Sequence, residues 1–306
     1  MNRLLRWLAV ARGSYLPLIV TPILVGTAYA LYDAYRMQWM TFALAMIGGM
    51  ALFLCAMVIV AVLELTLGRE PIAERTEPTR AQGVEVMAGG LVSLPEAAAV
   101  GAATLAAALA CGALLARPAG SFAIGLGFVG LLLAIFYAVP GIGFRDVGHG
   151  TAELGAFLAL GPLPVLGGYA AQSGSFTAGS VLASIPLGLY GAAIAYGHDL
   201  YRSSRDPDGE GNSLVMDLGD ERALIGAWTL PGLAYVAIIL NVVLGDYPAS
   251  TCWALATFPV VAWKLARLDT GDPETCADLT RTTAILYVLT GLVVAGAMVV
   301  SGARAH

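Results

Sequence analysis

The sequence predicts an all-α, polytopic membrane protein with about nine transmembrane helices in one bundle, and three observations carry that prediction. The 306-residue chain is 58% hydrophobic and 12% charged, whereas a soluble domain carries about 25% charged residues. Apolar runs recur along the whole length with no polar domain between them, so two soluble domains are excluded and residues 1–306 read as a single transmembrane unit. The few charges gather in the connections between the runs.

A hydrocarbon core about 30 Å thick requires roughly 20 apolar residues per helix. That length is approached near 15–33, 41–64, 95–116, 121–139, 154–171, 177–198, 223–243, 249–266 and 282–300. The N-terminal stretch MNRLLRWLAVARG runs into SYLPLIVTPILVGTAYALY without a cleavage site, so it is the lead-in to the first helix and not a removed signal peptide. Pro22, Pro162, Pro164, Pro186, Pro231 and Pro259 fall inside the runs, which membrane helices tolerate where neighbours re-satisfy the freed carbonyls. Abundant Gly and Ala predict close helix packing. Cys55, Cys111, Cys252 and Cys276 have no C-x-x-C spacing and read as packing residues, not as a disulfide framework or a zinc site.

The connections after the second, fourth, sixth and eighth helices, at about 65–94, 140–153, 199–222 and 267–281, are long and polar. Alternating topology puts them on one side with the N-terminus. Every Lys and Arg except Arg36, Arg117 and Arg304 falls on that side, so the positive-inside rule makes it cytoplasmic, in a cell inner membrane. The net charge of -5 argues against nucleic acid as a partner.

Carboxylates follow the same partition. Glu64, Glu70, Glu74 and Glu77 belong to the second connection or its edge, and Asp199, Asp206, Asp208, Glu210, Asp217, Asp220 and Glu221 to the sixth. Mg²⁺ takes carboxylate and phosphate oxygens, and the Arg fork matches diphosphate. Two such loops, one in each half of the chain, suit a magnesium diphosphate held over the mouth of a helical bundle. The same charges also suit ordinary solvent-facing connections, and the pattern alone leaves both readings open.

Motifs add a resemblance. Residues 12–28, RGSYLPLIVTPILVGTA, resemble the opening of the UbiA superfamily of intramembrane prenyltransferases, with Gly13 where that family usually has Pro. Residues 137–174, YAVPGIGFRDVGHGTAELGAFLALGPLPVLGGYAAQSG, resemble the 1,4-dihydroxy-2-naphthoate polyprenyltransferase branch through Phe144, Arg145, Gly148, Gly150, Glu153, Gly161, Pro162, Gln172 and Gly174. The resemblance implies a UbiA-like bundle that binds a polyprenyl diphosphate through Mg²⁺ and transfers the prenyl group to an aromatic acceptor, as in quinone and menaquinone biosynthesis. It implies catalytic roles for Arg145, Glu153 and His198, diphosphate binding by Arg80, Arg145 and Arg202, and Mg²⁺ ligation by Glu64, Glu70, Asp199 and Asp206.

The aspartate motifs depart from the family pattern. The first, usually Asn-Asp-x-x-Asp with a later Asp, falls on Val60, Ala61, Glu64 and Glu70, and the second on His198, Arg202 and Asp206, with Asp199 adjacent. Arg80 with Gly83, and residues 211–219 (GNSLVMDLG), still match the family's loop endings. Two alternatives follow from the departures: a non-catalytic relative that binds a quinone or isoprenoid lipid, and a cyclase acting on an isoprenoid alone. Elsewhere, Glu96 after Pro95 reads as a first-turn helix residue. Asp269, Asp272, Glu274 and Asp278 read as a solvated acidic loop. Trp7, Tyr32, Trp39 and Tyr247 read as interfacial anchors, while Tyr137, Tyr196 and Tyr201 lie nearer the proposed mouth.

Overall fold

The computed structural model describes residues 7, 10, 13–33, 35–66, 87, 89–90, 92–138, 143–205 and 213–305, and every regular element among them is helical. After a 3-10 turn at Gly13–Tyr15 come α1 (Leu16–Tyr32), α2 (Trp39–Thr66), α3 (Leu94–Leu115) and α4 (Gly120–Ala138). The short α5 (Phe144–Val147) leads to α6 (Thr151–Leu160) and α7 (Pro162–Ser173), then to α8 (Ala178–Arg205) and α9 (Leu214–Leu244). A 3-10 helix (Ala249–Thr257), α10 (Phe258–Leu265) and α11 (Pro273–Ala305) complete the chain.

By length and composition, six helices among the described residues could cross a membrane: Trp39–Leu63, Leu94–Leu115, Thr151–Ser173, Ala178–Arg205, Arg222–Leu244 and Pro273–Ala303. Leu16–Tyr32 and Ile124–Leu133 are shorter apolar helices. The span expected at 249–266 is divided between the 3-10 helix and α10. Hydroxyls explain the tight first part, since Thr251 Oγ1 donates to the Pro248 carbonyl and Thr257 Oγ1 to the Ala254 carbonyl, each at 2.7 Å and each three residues back. Pro259 then occupies the first turn of α10.

Helices also extend beyond the expected loop boundaries. The 140–153 connection holds α5 and the first turn of α6, α8 continues to Arg205, and α9 starts at Leu214 with a non-helical break at Gly219, φ 70°. Gly219 supplies the positive φ that a side chain would strain. At the start of α3, Ser93 and Glu96 form a reciprocal capping box with Pro95 in the first turn, as expected of that Glu.

Prolines inside helices leave the carbonyl four residues earlier without its amide partner. Pro22, Pro164 and Pro186 thereby free the carbonyls of Leu18, Leu160 and Leu182. The Tyr287 hydroxyl of α11 lies 2.9 Å from the Leu18 oxygen and 2.6 Å from the Leu160 oxygen, so one donor serves two freed acceptors. Asn241 of α9 donates to the Leu182 oxygen at 3.2 Å. In hydrocarbon no water could replace these donors, so the prolines in α1, α7 and α8 fix which polar side chains α9 and α11 must carry.

Glycine sets how closely the helices meet. A Cβ on Gly26 would stand 1.9 Å from the Val165 carbonyl oxygen, and one on Gly161 would stand 2.4 Å from the Gly188 backbone. α1 therefore lies directly on α7, and the α6–α7 break lies directly on α8. α8 also packs against α9 and α11, and the largest fully buried side chains, Tyr169, Tyr190, Tyr196 and Tyr287, belong to this half of the bundle. The half made by α2, α3 and α4 has fewer large buried residues, and the space left there becomes the site.

Candidate active site

One end of the bundle collects the N-termini of α6, α9 and α11 and the C-termini of α2 and α8. α8 supplies a stripe that runs from the apolar wall to the polar end. Gly191, Ile194, Ala195, His198 and Arg202 follow at helical spacing, with Asp199 beside His198. The Arg202 guanidinium lies 3.5 Å from Asp199 Oδ1, and both side chains are largely withdrawn from solvent. Across from them, Gly150 in the left-handed conformation starts α6, and Thr151 Oγ1 donates to the Phe144 carbonyl at 2.6 Å, closing α5 against α6.

Glu153, one turn into α6, is 6% exposed. Neither of its carboxylate oxygens has a hydrogen-bond partner among the described residues. Asp199 and Arg202 are the charged groups within its electrostatic reach. A buried carboxylate is costly to hold charged, and at the mouth of the bundle Glu153 stands where an incoming group could reach it. Nearby, His149 Nδ1 lies 2.7 Å from Asp217 Oδ2, joining the α5–α6 turn to the start of α9 across an exposed gap.

Below this polar end lies an apolar cavity of about 580 Å³. Tyr15, Phe144 and His198 line it near the polar end, and Leu44, Leu115 and Ile124 line it near the other. His198 thus joins the two regions: it borders the cavity and stands one turn from Arg202 on the same helix. The arrangement offers a charged head site above a dry slot, which suits an amphiphile with an anionic head and an apolar tail.

The structure brings Glu153, His198, Asp199 and Arg202 together. Glu70, Arg80 and Asp206 lie outside the described residues, as do the side chains of Glu64, Arg145 and Tyr137. Val60 and Ala61 are buried, at 3% and 1% exposure, and Ala61 packs with Val10, Val58, Met87, Val92 and Ala97. Two aromatic assignments are corrected. Tyr196 does lie beside Glu153 and Asp199, but it is buried and its hydroxyl donates to the Ala223 carbonyl at 2.8 Å, so it is committed to tying α8 to α9. Tyr247 is 2% exposed and donates to the Ala183 carbonyl at 2.7 Å; it is a core residue and not an interfacial anchor, because a polar tip can be satisfied by backbone as well as by headgroups. Trp39 is exposed, as an anchor should be. The acidic loop at 269–278 caps its own turn, with Asp269 accepting from the Gly271 amide and Asp272 from the Glu274 amide, both at 3.0 Å, and Asp278 paired with Lys264.

Sequence reasoning missed the His149–Asp217 pair and the cavity wall. The α8 spacing that joins Gly191 to Arg202 was the available signal for the second. For Mg²⁺, no group of three candidate ligand side chains gathers among the described residues. The donors present are of the right chemistry: the uncommitted Glu153 carboxylate adjoins Asp199, and hard oxygen is what Mg²⁺ takes.

Comparison with known proteins agrees with this fold. A protein-family model described as the UbiA prenyltransferase family matches residues 19–289. No curated protein matches the chain. Among solved structures, a UbiA homolog from Aeropyrum pernix K1 is similar with a TM-score of 0.66 at 20% identity, covering 92% of this chain and 97% of that one. A UbiA homolog from Archaeoglobus fulgidus bound to GPP and Mg²⁺ gives a TM-score of 0.67 at 14% identity, covering 95% and 99%. A digeranylgeranylglyceryl phosphate synthase gives 0.62 at 17% identity, covering 98% and 99%.

Proposed function

The chain belongs to the UbiA prenyltransferase family, and from that premise we propose that it transfers a polyprenyl group from its diphosphate to an aromatic acceptor of the quinone-precursor type, as in menaquinone biosynthesis. The observation that carries this reading is the apolar cavity that ends at His198, one turn from the Asp199–Arg202 pair and beside the buried Glu153. In it Arg202, with Arg80 and Arg145, binds the diphosphate through planar guanidinium forks. Glu64, Glu70, Asp199 and Asp206 hold Mg²⁺, which when bound neutralises charge on the leaving diphosphate. The ring attacks the allylic carbon as the carbon–oxygen bond breaks toward diphosphate, and Glu153 or His198 takes the proton the ring loses. The dry wall of the cavity keeps water from the allylic cation. The site faces the cytoplasm from the inner membrane, with the N-terminus on the same side.

Purified protein given Mg²⁺, polyprenyl diphosphates and aromatic acceptors releases diphosphate and yields a heavier lipid. Absence of turnover across a broad panel of both substrates would sink the reading. A second reading, a diverged relative that binds isoprenoid or quinone without turnover, draws on Val60 and Ala61, which stand at eroded ligand positions of the first aspartate motif and are both buried, Ala61 among apolar neighbours. It expects a lipid to co-purify and Val60→Asn with Ala61→Asp to create no activity. A cyclase would consume the diphosphate with no acceptor added.

A further inference from the structure

The cavity is elongated, and two helices give its length. On α2 its lining runs from Leu44 to Met57, and along α6 and α7 from Gly155 to Gly168, so thirteen residue steps separate the ends on each wall. At a rise of 1.5 Å per residue the continuous α2 wall is about 20 Å long. An extended isoprene unit contributes four carbon–carbon bonds of about 1.5 Å and advances about 5 Å, so about four units fill that length.

The end away from His198 has a floor. Leu44, Ala45 and Leu115 line the cavity there, and they pack with Ala119 and Ala171 in a small apolar cluster. Above that floor the wall is rich in glycine, and three of its glycines face open space: Gly112 of α3, Gly127 of α4 and Gly167 of α7. Most glycines elsewhere in the bundle are forced by a neighbour. A Cβ at Gly26, Gly168 or Gly188 would collide with backbone or ring atoms, whereas a Cβ at any of these three would meet nothing within 4 Å. Helix packing therefore does not explain them, and glycine carries a cost in helix propensity relative to Ala. Gly125, Gly232 and Gly296 also have open space at the Cβ, but Gly112, Gly127 and Gly167 alone of these six line the slot.

We propose that this cavity is a length gauge for the prenyl tail, with room for about four isoprene units, and that Gly112, Gly127 and Gly167 hold open the half that admits the third and fourth. The inference rests on the prenyl diphosphate reading above. Because the tail arrives from lipid and not from water, the gauge acts through fit: a side chain in the slot excludes the end of a long tail and leaves a short one untouched.

The test uses the full chain in lipid nanodiscs with Mg²⁺ and diphosphates of two and four isoprene units, measuring bound ligand directly. Gly112→Leu and Gly127→Leu each weaken four-unit binding roughly tenfold, the scale of overpacking a filled site, while two-unit binding stays within about twofold. Gly125→Leu on the same helix, outside the cavity lining and with open space at its Cβ, leaves both unchanged and controls for folding. Gly127→Ala, a smaller intrusion, gives a loss intermediate between wild type and Leu. Equal weakening for both tails, or none for either, overturns the gauge while leaving the transferase reading intact. Failure of the wild type to bind any prenyl diphosphate overturns the transferase reading itself.

Discussion

Where α1 ends and α2 begins, polar side chains are tied across the bundle. Gln172 of α7 accepts from the Gln38 amide at 2.8 Å, donates to Thr41 Oγ1 at 3.1 Å and to the Gln38 carbonyl at 3.4 Å, and its own carbonyl accepts from Gln38 Nε2 at 3.3 Å. Tyr169 donates to Asp33 at 2.6 Å and Tyr29 to Asp246 at 3.3 Å. At the other end Glu153 is as deeply buried as Gln172, yet neither oxygen has a partner among the described residues. The chain can evidently satisfy a buried polar group where it closes the bundle. Single atoms toward that end are also left without a partner, Thr27 Oγ1 and Asn241 Oδ1, but among the described residues the carboxylate so left is Glu153, beside Asp199 and Arg202, and a buried acid is the costlier group to leave, which sets the receiving end apart.

The sharpest way to break this contrast is to remove the cation at the receiving end. If Arg202 binds the leaving diphosphate, Arg202→Ala lowers kcat/KM roughly 100-fold, the scale expected for one lost charge-stabilising donor, while thermal unfolding in detergent is almost unchanged because its visible partner is a single pair at 3.5 Å. Steady-state kinetics and a melting curve on the same preparation decide it. A large loss of stability with little loss of rate would make Arg202 a structural residue and erase the distinction between the ends.

At the closed end the prediction reverses. Gln172→Ala strips the Gln38 amide of its side-chain partner and Thr41 of one of its two and costs about 2–3 kcal/mol, seen as a lower melting temperature, with turnover per folded molecule retained at a permissive temperature. Glu153→Gln is the matched change at the open end. It removes a buried charge that lacks a donor, so it stabilises by about 1–2 kcal/mol, and it abolishes most turnover because the amide cannot accept the ring proton. Opposite signs on stability from two substitutions at equally buried sites would establish that the ends differ in purpose. The same sign would not.

The bundle was legible because bilayer thickness fixes helix length, and apolar runs of that length stand out in the sequence. The acid at 153 was also legible, since a motif resemblance singled it out, whereas the α8 spacing from Gly191 to Arg202 was present in the sequence and went unread. Its burial without a partner was not legible, since that depends on what α8 places opposite it. Tyr196 and Tyr247 were misjudged for a related reason: a tyrosine near a helix end reads the same whether its hydroxyl meets a headgroup or, as here, the carbonyls of Ala223 and Ala183. The cavity was the least legible feature. Gly26 and Gly127 are one letter in the sequence, yet the first presses on the Val165 backbone and the second faces open space, and only the path of the neighbouring helices distinguishes them.

His149 gives the smallest effect and the finest test of the open end. It is the one non-glycine residue with positive φ among those described, at 56°, and its ring is paired with Asp217 across an exposed gap. An exposed ion pair contributes under about 1 kcal/mol, and placing a side chain in the left-handed region costs about 1–2 kcal/mol. His149→Gly loses the first and relieves the second, so stability rises slightly or stays level. If the pair only joins two turns, kcat and KM also hold within about twofold. A rise in KM for the prenyl diphosphate at unchanged kcat would instead show that the link between the α5–α6 turn and α9 shapes the mouth, extending the receiving end from the buried Glu153 out to the exposed Asp217.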